Sequence, residues 1–215
     1  MSLWAIVPIK PLRRGKSRLS TVLSESEREQ LNQSLLIKTI SCLKEIKEID
    51  QILVVSYDPN ALNISRDYGA RTIQESHNTN INKALRKGSM AAITFNVSSI
   101  LIIPADLPYI NADAIRQLLS RAGNPPEIII TPDRRMNGTN ALFINPVGIL
   151  DYDFGMWSFR KHVEQAERKK IRVEIYNNDT LSFDLDIPED LEFLKDNGNE
   201  KFDFKFTKNN SGGKG

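Results

Sequence analysis

Short, nearly uninterrupted apolar runs recur along this chain, each followed by a stretch of helical periodicity, and this alternation limits the fold more than any other feature. Leu3–Ile9 and Gln51–Ser56, the latter with Ile52-Leu53-Val54-Val55 at its centre, are apolar on consecutive residues, as strands covered on both faces are. Ile100–Ile103 and Glu127–Thr131 repeat the pattern, with shorter versions at Ala70–Gln74 and Ala141–Ile144. After the first strand, Ser24-Glu25-Ser26-Glu27 reads as a capping box, and Leu36, Ile40, Leu43 and Ile46 then fall at three- and four-residue steps on one helix face. Asp58-Pro59 opens a short helix, and helical spacing returns at Asn80–Phe95, Ala112–Arg121 and Ser158–Arg168. Such alternation predicts an α/β fold with a mostly parallel sheet flanked by helices. The closely spaced strands expected after residue 140, at Ala141–Ile144, Arg172–Tyr176 and Leu181–Leu185, predict antiparallel additions late in the chain, before a last helix at Pro188 with Glu189 and Asp190 in its first turn.

The 215 residues suit one sizeable domain, read here as residues 1–196, followed by a polar tail over 197–215. Phe202, Phe204 and Phe206 alternate within that tail and read as a strap against the domain. With 29 basic and 27 acidic residues the net charge is only +2, which predicts neither a nucleic-acid nor a membrane surface and confines positive potential to local patches. The N-terminal apolar run is too short for a secretion signal, and no segment approaches the ~18 apolar residues of a membrane span, so a cytoplasmic protein is expected. The single cysteine, Cys42, lies in a helical pattern and reads as a small buried hydrophobe.

Chemistry concentrates where strands end, which is where parallel α/β sheets bind ligands. Lys10-Pro11-Leu12-Arg13-Arg14-Gly15-Lys16-Ser17-Arg18 carries five cations in nine residues directly after the first strand. A solvated charge run is the plain alternative. A nucleoside triphosphate, however, needs such cations together with backbone N–H groups near Gly15. Gly15-Lys16-Ser17 is not a P-loop: Lys10 stands where the motif requires glycine, and the helix signal comes only at Ser24. Asp106 follows the Ile100–Ile103 strand between Pro104 and Pro108, a rigidly aimed carboxylate of the kind that suits Mg²⁺. Asp184 and Asp186, two apart, share one face of the expected strand and form a further metal-binding candidate, with a turn or helix cap as the structural alternative. Together the three segments describe a metal–triphosphate site.

These residues resemble the guanylyltransferases of coenzyme F-420 biosynthesis (the CofC/FbiD family), relatives of the MobA-like nucleotidyltransferases. The resemblance runs from about Trp4 to Leu194. It rests on Val7-Pro8-Ile9-Lys10-Pro11-Leu12, Gly15-Lys16-Ser17-Arg18-Leu19, Pro104-Ala105-Asp106-Leu107-Pro108 and Asp184-Leu185-Asp186-Ile187-Pro188-Glu189-Asp190-Leu191. More specific are Asn137-Gly138-Thr139-Asn140-Ala141-Leu142 and the Phe154-Gly155, Ser158-Phe159, His162 series. It implies a single-domain Rossmann-like nucleotidyltransferase fold that uses GTP and Mg²⁺ to join GMP to phosphoenolpyruvate or 2-phospho-L-lactate. Carried over, Asp106 and Asp186 would hold the metal, Thr139, Gly155 and Ser158 the phospho-acid, and Lys10, Lys16 and Arg18 the triphosphate. Where the family shows Gly-Leu-Asn on the nucleobase side, this chain reads Thr79-Asn80-Ile81-Asn82, and Asn82 keeps the amide. His162 is expected to order its helix against the acceptor loop, His77 to lie on the surface, and Trp157 and Phe159 to form pocket walls. A phosphate nucleophile needs no general base, and the chain offers no convincing nucleophilic triad. The loop pieces look more like the bacterial branch, which favours phosphoenolpyruvate; a homodimer is compatible with the sequence. The competing readings are another MobA-like enzyme, acting on molybdenum cofactor or a sugar phosphate, and a non-catalytic nucleotide-binding relative. The first would carry a Leu-Ala-Gly-Gly loop that is absent here, and the second would be free to lose Asp106 and Asp186.

Overall fold

The computed structural model describes residues 2–76 and 80–196. In chain order its elements are β1 (Leu3–Pro8), α1 (Glu25–Lys44), β2 (Gln51–Ser56), α2 (Pro59–Asp67), β3 (Arg71–Gln74), α3 (Ile81–Thr94) and β4 (Ser99–Ile102). There follow α4 (Ala112–Leu119), β5 (Glu127–Pro132), β6 (Thr139–Asn145), α5 (Ser158–Arg168), β7 (Arg172–Ile175), α6 (Asp179–Ser182) and α7 (Pro188–Asp196). The strands form one seven-stranded sheet in the order β3-β2-β1-β4-β6-β5-β7. His77, Thr79 and the tail with Phe202, Phe204 and Phe206 lie outside the described residues.

Side chains of a strand alternate between faces, and β1 shows what that does here. Leu3, Ala5 and Val7 point into one core with Leu36, Ile40 and Leu43 of α1 and Ile115 and Leu118 of α4. Trp4 and Ile6 point into the other with Leu85 of α3 and Ala166 of α5. Both faces are therefore covered, which is why the strands read as continuous apolar runs. The capping box of α1 forms as expected: Ser24 Oγ accepts from the Glu27 amide and the Glu27 carboxylate accepts from the Ser24 amide. Cys42 is buried, and burial pushes its thiol up to about 12. Among the described residues no helix is long and apolar enough to cross a membrane.

The antiparallel addition expected after residue 140 is β6, which sits inside the sheet between β4 and β5, whereas the later β7 runs parallel to β5. One expectation about the late chain is corrected. Leu181–Leu185 is not a strand. Asn178 caps the short α6 by accepting from the Thr180 and Leu181 amides, and Phe183 then turns extended without joining the sheet. The cap outweighs the alternating pattern because it satisfies backbone donors locally, before any ladder partner is in reach. The Leu185 amide instead reaches the Asp106 carbonyl at 3.1 Å.

A third, smaller cluster bears directly on the site. Leu19 and Leu23 after the basic loop and Leu31 and Leu35 of α1 pack against Phe183, Leu185, Leu191 and Leu194. This satellite core holds the loop and the Asp184–Asp186 segment side by side, though they are far apart in the chain.

Candidate active site

Strand order reverses between β1 and β4, and loops leaving the carboxyl ends of such neighbours diverge and open a crevice. A cavity of about 510 Å³ lies there. Because β6 is antiparallel, its first residues, Thr139 and Asn140, reach this same edge of the sheet. The cavity walls include Lys10, Gly15, Lys16 and Arg18 from the loop after β1, Asp106 after β4, and Asp184 and Asp186 beyond α6. Thr139, Gly155 and Ser158 stand on its other wall, and Tyr57, Glu75 and Asn80 beyond β2 and β3 complete it.

The basic loop engages the carboxylates directly. Lys16, whose backbone is left-handed at φ 55°, has a side chain only 6% exposed and donates from Nζ to Asp106 Oδ2 at 2.9 Å. Arg18 Nη1 pairs with Asp186 Oδ2, also at 2.9 Å. Arg13 turns away to Glu29. Gly15 takes a role other than the one expected. Its amide is occupied by the Pro11 carbonyl at 2.8 Å, and a Cβ there would lie 2.6 Å from Asn32 Nδ2, which itself donates to the Leu12 carbonyl. Glycine is needed for that close approach. Ser17 opens a short 3-10 turn, is exposed, and is not a cavity wall.

Asp184 is half-buried in the crevice. Burial, and secondarily the charge of Asp106, push its carboxyl up to about 6, while Lys16 and the hydrogen bond from Asn140 Nδ2 (3.4 Å) pull the other way. Asp186 does not cap α7. Asp190 does, two residues inside the helix: its buried carboxylate accepts from the Asp186 and Ile187 amides at 2.9 and 3.0 Å and pairs with Arg134 and Arg135. This fully satisfied charge pins the Asp184–Asp186 segment to the β5–β6 hairpin. Among the described residues no group of three or more His, Cys, Asp or Glu side chains could hold a metal ion by itself. A hard cation of the Mg²⁺ kind takes only one or two carboxylates and completes its shell with phosphate oxygens and water, so the donor set fits an ion that arrives with a triphosphate.

The other wall is built by exchange between two loops. Asp133 accepts from the Arg135, Asn137 and Gly138 amides, which folds the hairpin turn, and Asn137 then stands in for a helix cap of α5. Its side-chain oxygen accepts from the Trp157 amide at 2.6 Å and its carbonyl from that of Phe159. Gly155 holds φ 125°, and a Cβ there would meet nothing within 4 Å, so conformation rather than space calls for glycine. Asn82, expected on the nucleobase side, is engaged elsewhere. Its amide donates to the Phe154 carbonyl and accepts from the Phe154 amide, and it is not a cavity wall. Trp157 is 56% exposed, and neither it nor Phe159 lines the cavity; Phe154 and Met156 do. Asp133, Asn137 and Asp190 were not singled out from sequence as site builders, although Asn137 stands in the Asn-Gly-Thr-Asn stretch and Asp190 at the third position of a helix, where reach-back acids belong.

A Rossmann-like sheet whose carboxyl edge sets a basic loop against aspartates in one crevice is nucleotidyltransferase architecture. A solved nucleotidyl transferase from Methanothermobacter shares the fold with a TM-score of 0.65 at 12% identity, covering 91% of this chain and 97% of its own. A family model described as "Guanylyl transferase CofC like" matches residues 3–210, and the chain belongs to that family. The chain is 37% identical to a phosphoenolpyruvate guanylyltransferase of Rubrobacter xylanophilus over 94% of its own length and 98% of the relative's. It is 35% identical to a 2-phospho-L-lactate guanylyltransferase of Methanocaldococcus vulcanius, over 86% and 81%.

Proposed function

We propose that this protein transfers GMP from GTP to phosphoenolpyruvate, releasing pyrophosphate, as a step of coenzyme F-420 biosynthesis. The observation that carries the reading is the double pairing of Lys16 with Asp106 and Arg18 with Asp186 inside one crevice. Cations suited to a triphosphate and carboxylates suited to its metal ion there neutralise one another. A triphosphate brings about four negative charges and its Mg²⁺ two positive ones, so Lys16 and Arg18 can exchange carboxylate partners for phosphate oxygens while the metal takes up the freed carboxylates, for a net addition of about two negative charges. Asp106 and Asp186, with Asp184 beside them, would hold the Mg²⁺, which supplies neutralisation of the phosphates.

An oxygen of the acceptor phosphate attacks the α-phosphorus of GTP, and the bond from that phosphorus to the β-bridging oxygen breaks. Pyrophosphate leaves with the electron pair. The nucleophile carries no proton, so no general base is required, and the chain contributes alignment and charge. Lys10, Lys16 and Arg18 face the departing pyrophosphate. Thr139, Ser158 and the Gly155 backbone hold the phospho-acid, and Tyr57, Glu75 and Asn80 border the space left for the base. The choice of phosphoenolpyruvate rests on the relative from Rubrobacter xylanophilus, the more similar of the two compared.

The test is pyrophosphate release with GTP against phosphoenolpyruvate, 2-phospho-L-lactate and 3-phosphoglycerate. Phosphoenolpyruvate should give the highest kcat/KM, and release independent of every acceptor would refute transfer to a phospho-acid altogether. Asp106→Asn should lower turnover on the order of 10²–10³-fold in a folded protein; near-normal turnover would remove Asp106 from the mechanism.

A further inference from the structure

His162 is fully buried beneath the wall that carries Thr139 and Ser158, and both of its ring nitrogens are bonded. Nε2 lies 3.2 Å from the Asp153 amide, which can only donate, so Nε2 must present its lone pair and the proton must sit on Nδ1. Nδ1 lies 3.1 Å from Thr139 Oγ1 and therefore donates to it. Ser158 Oγ donates to the same oxygen at 3.2 Å. A hydroxyl oxygen has two acceptor sites, and both are now filled. The one hydrogen-bonding capacity left to Thr139 is its own proton, at a residue that lines the cavity.

Resting on the reading that the phospho-acid binds at this wall, we propose that His162 is a positioning residue that makes the Thr139 hydroxyl an obligate donor to the anionic acceptor. It acts at a second point as well. By holding the Asp153 amide it fixes the segment leading to Gly155, while Asn82 holds the next residue, Phe154, by both backbone groups. The Phe154 ring meets the imidazole edge-on at 4.8 Å between centroids, closing the ring in its orientation. Burial pushes His162 down to about 4, which keeps it neutral and preserves the lone pair that the Asp153 amide needs. Asp153 and Lys161, the charged groups nearest to it, are paired with each other at 3.1 Å.

The experiment has a spectroscopic and a kinetic arm. Ring ¹⁵N shifts of His162 at pH 7 should report the neutral Nδ1–H tautomer; an Nε2–H tautomer or an imidazolium would overturn the proposal. In steady-state pyrophosphate release, His162→Phe should raise the KM for the phospho-acid about tenfold or more while the KM for GTP stays within about twofold. His162→Asn, whose amide can still donate from near the Nδ1 position, should recover much of that loss, and it carries the test if the Phe variant does not fold. In a Thr139→Val background, His162→Phe should add little. A parallel rise in both KM values, an unmoved acceptor KM, or full additivity with Thr139→Val would each overturn the role of His162. Absence of turnover by the wild-type protein with every acceptor is a different result, and refutes the guanylyl-transfer reading itself.

Discussion

Asp184 is the least comfortable charge in the crevice, since Lys16 and Arg18 make their close ion pairs with Asp106 and Asp186. Its folded pKa, about 6, stands above the usual 3.8, so its ionised form costs stability above pH 6 and that cost disappears as pH falls toward 3.8. Asp184→Asn keeps the shape and removes the charge. It should raise stability at pH 7.5 by about 1–2 kcal/mol after allowance for partial solvation, with a gain that shrinks below about pH 5. Urea titrations at the two pH values check this, and an Asn variant no more stable than the wild type would contradict it. A stabilising loss of a site carboxylate is what a binding site is expected to show. At the same scale the sequence named Asp106, Lys16 and Arg18 by residue type and position alone. It could not reveal that Asn82 would be occupied by the Phe154 backbone, because residues 82 and 154 meet only through the packing of α3 against the loop before α5.

α3 lies on the sheet through Gly88, whose added Cβ would approach Ile6 Cγ2 to 3.1 Å and Val55 Cγ2 to 3.3 Å. Those side chains belong to β1 and β2, the strands whose ends carry the basic loop and Tyr57. Gly88→Val should therefore force the helix outward and cost about 2–3 kcal/mol, read as a lower urea midpoint at unchanged m. Gly88→Ala tests the same contact more gently, since the helix propensity of alanine offsets part of the crowding by about 1 kcal/mol. Elements with strong local signals were legible in advance: the capped α1, the apolar β1 and β2, and α5, whose bounds Ser158–Arg168 agree with the expectation. The segment after Asn178 was not, because a four-residue helix followed by extended chain has the same short-range alternation as an edge strand.

Across the whole molecule, two partly or fully buried groups bear on stability below neutral pH in opposite directions. His162 stays neutral in the fold down to about pH 4, whereas in the unfolded chain it takes up a proton near 6.5, so its contribution is lost as pH falls between those values. Asp184 works the other way over an overlapping range. The stability difference between wild type and His162→Asn isolates the first. It should shift against the wild type by about 2 kcal/mol between pH 7 and pH 5, a change that paired denaturation curves would detect. A difference that is flat with pH would mean that His162 titrates normally and is not held as the neutral ring described above.

The sequence by itself determined the α/β class, the single sheet edge at which chemistry gathers, and the residue types there. Apolar periodicity, caps and strand-end charges are local properties, and each persists whatever the rest of the chain does. Tertiary structure alone decided the partners. It placed β6 antiparallel in the middle of the sheet, so that Thr139 reaches the crevice, and it used the cluster of Leu19, Leu31, Phe183 and Leu185 to bring Arg18 against Asp186. It also set His162 behind Thr139 with a single permitted tautomer. Contacts between residues tens to well over a hundred positions apart depend on which apolar faces pack together, and that is a property of the assembled core rather than of any segment.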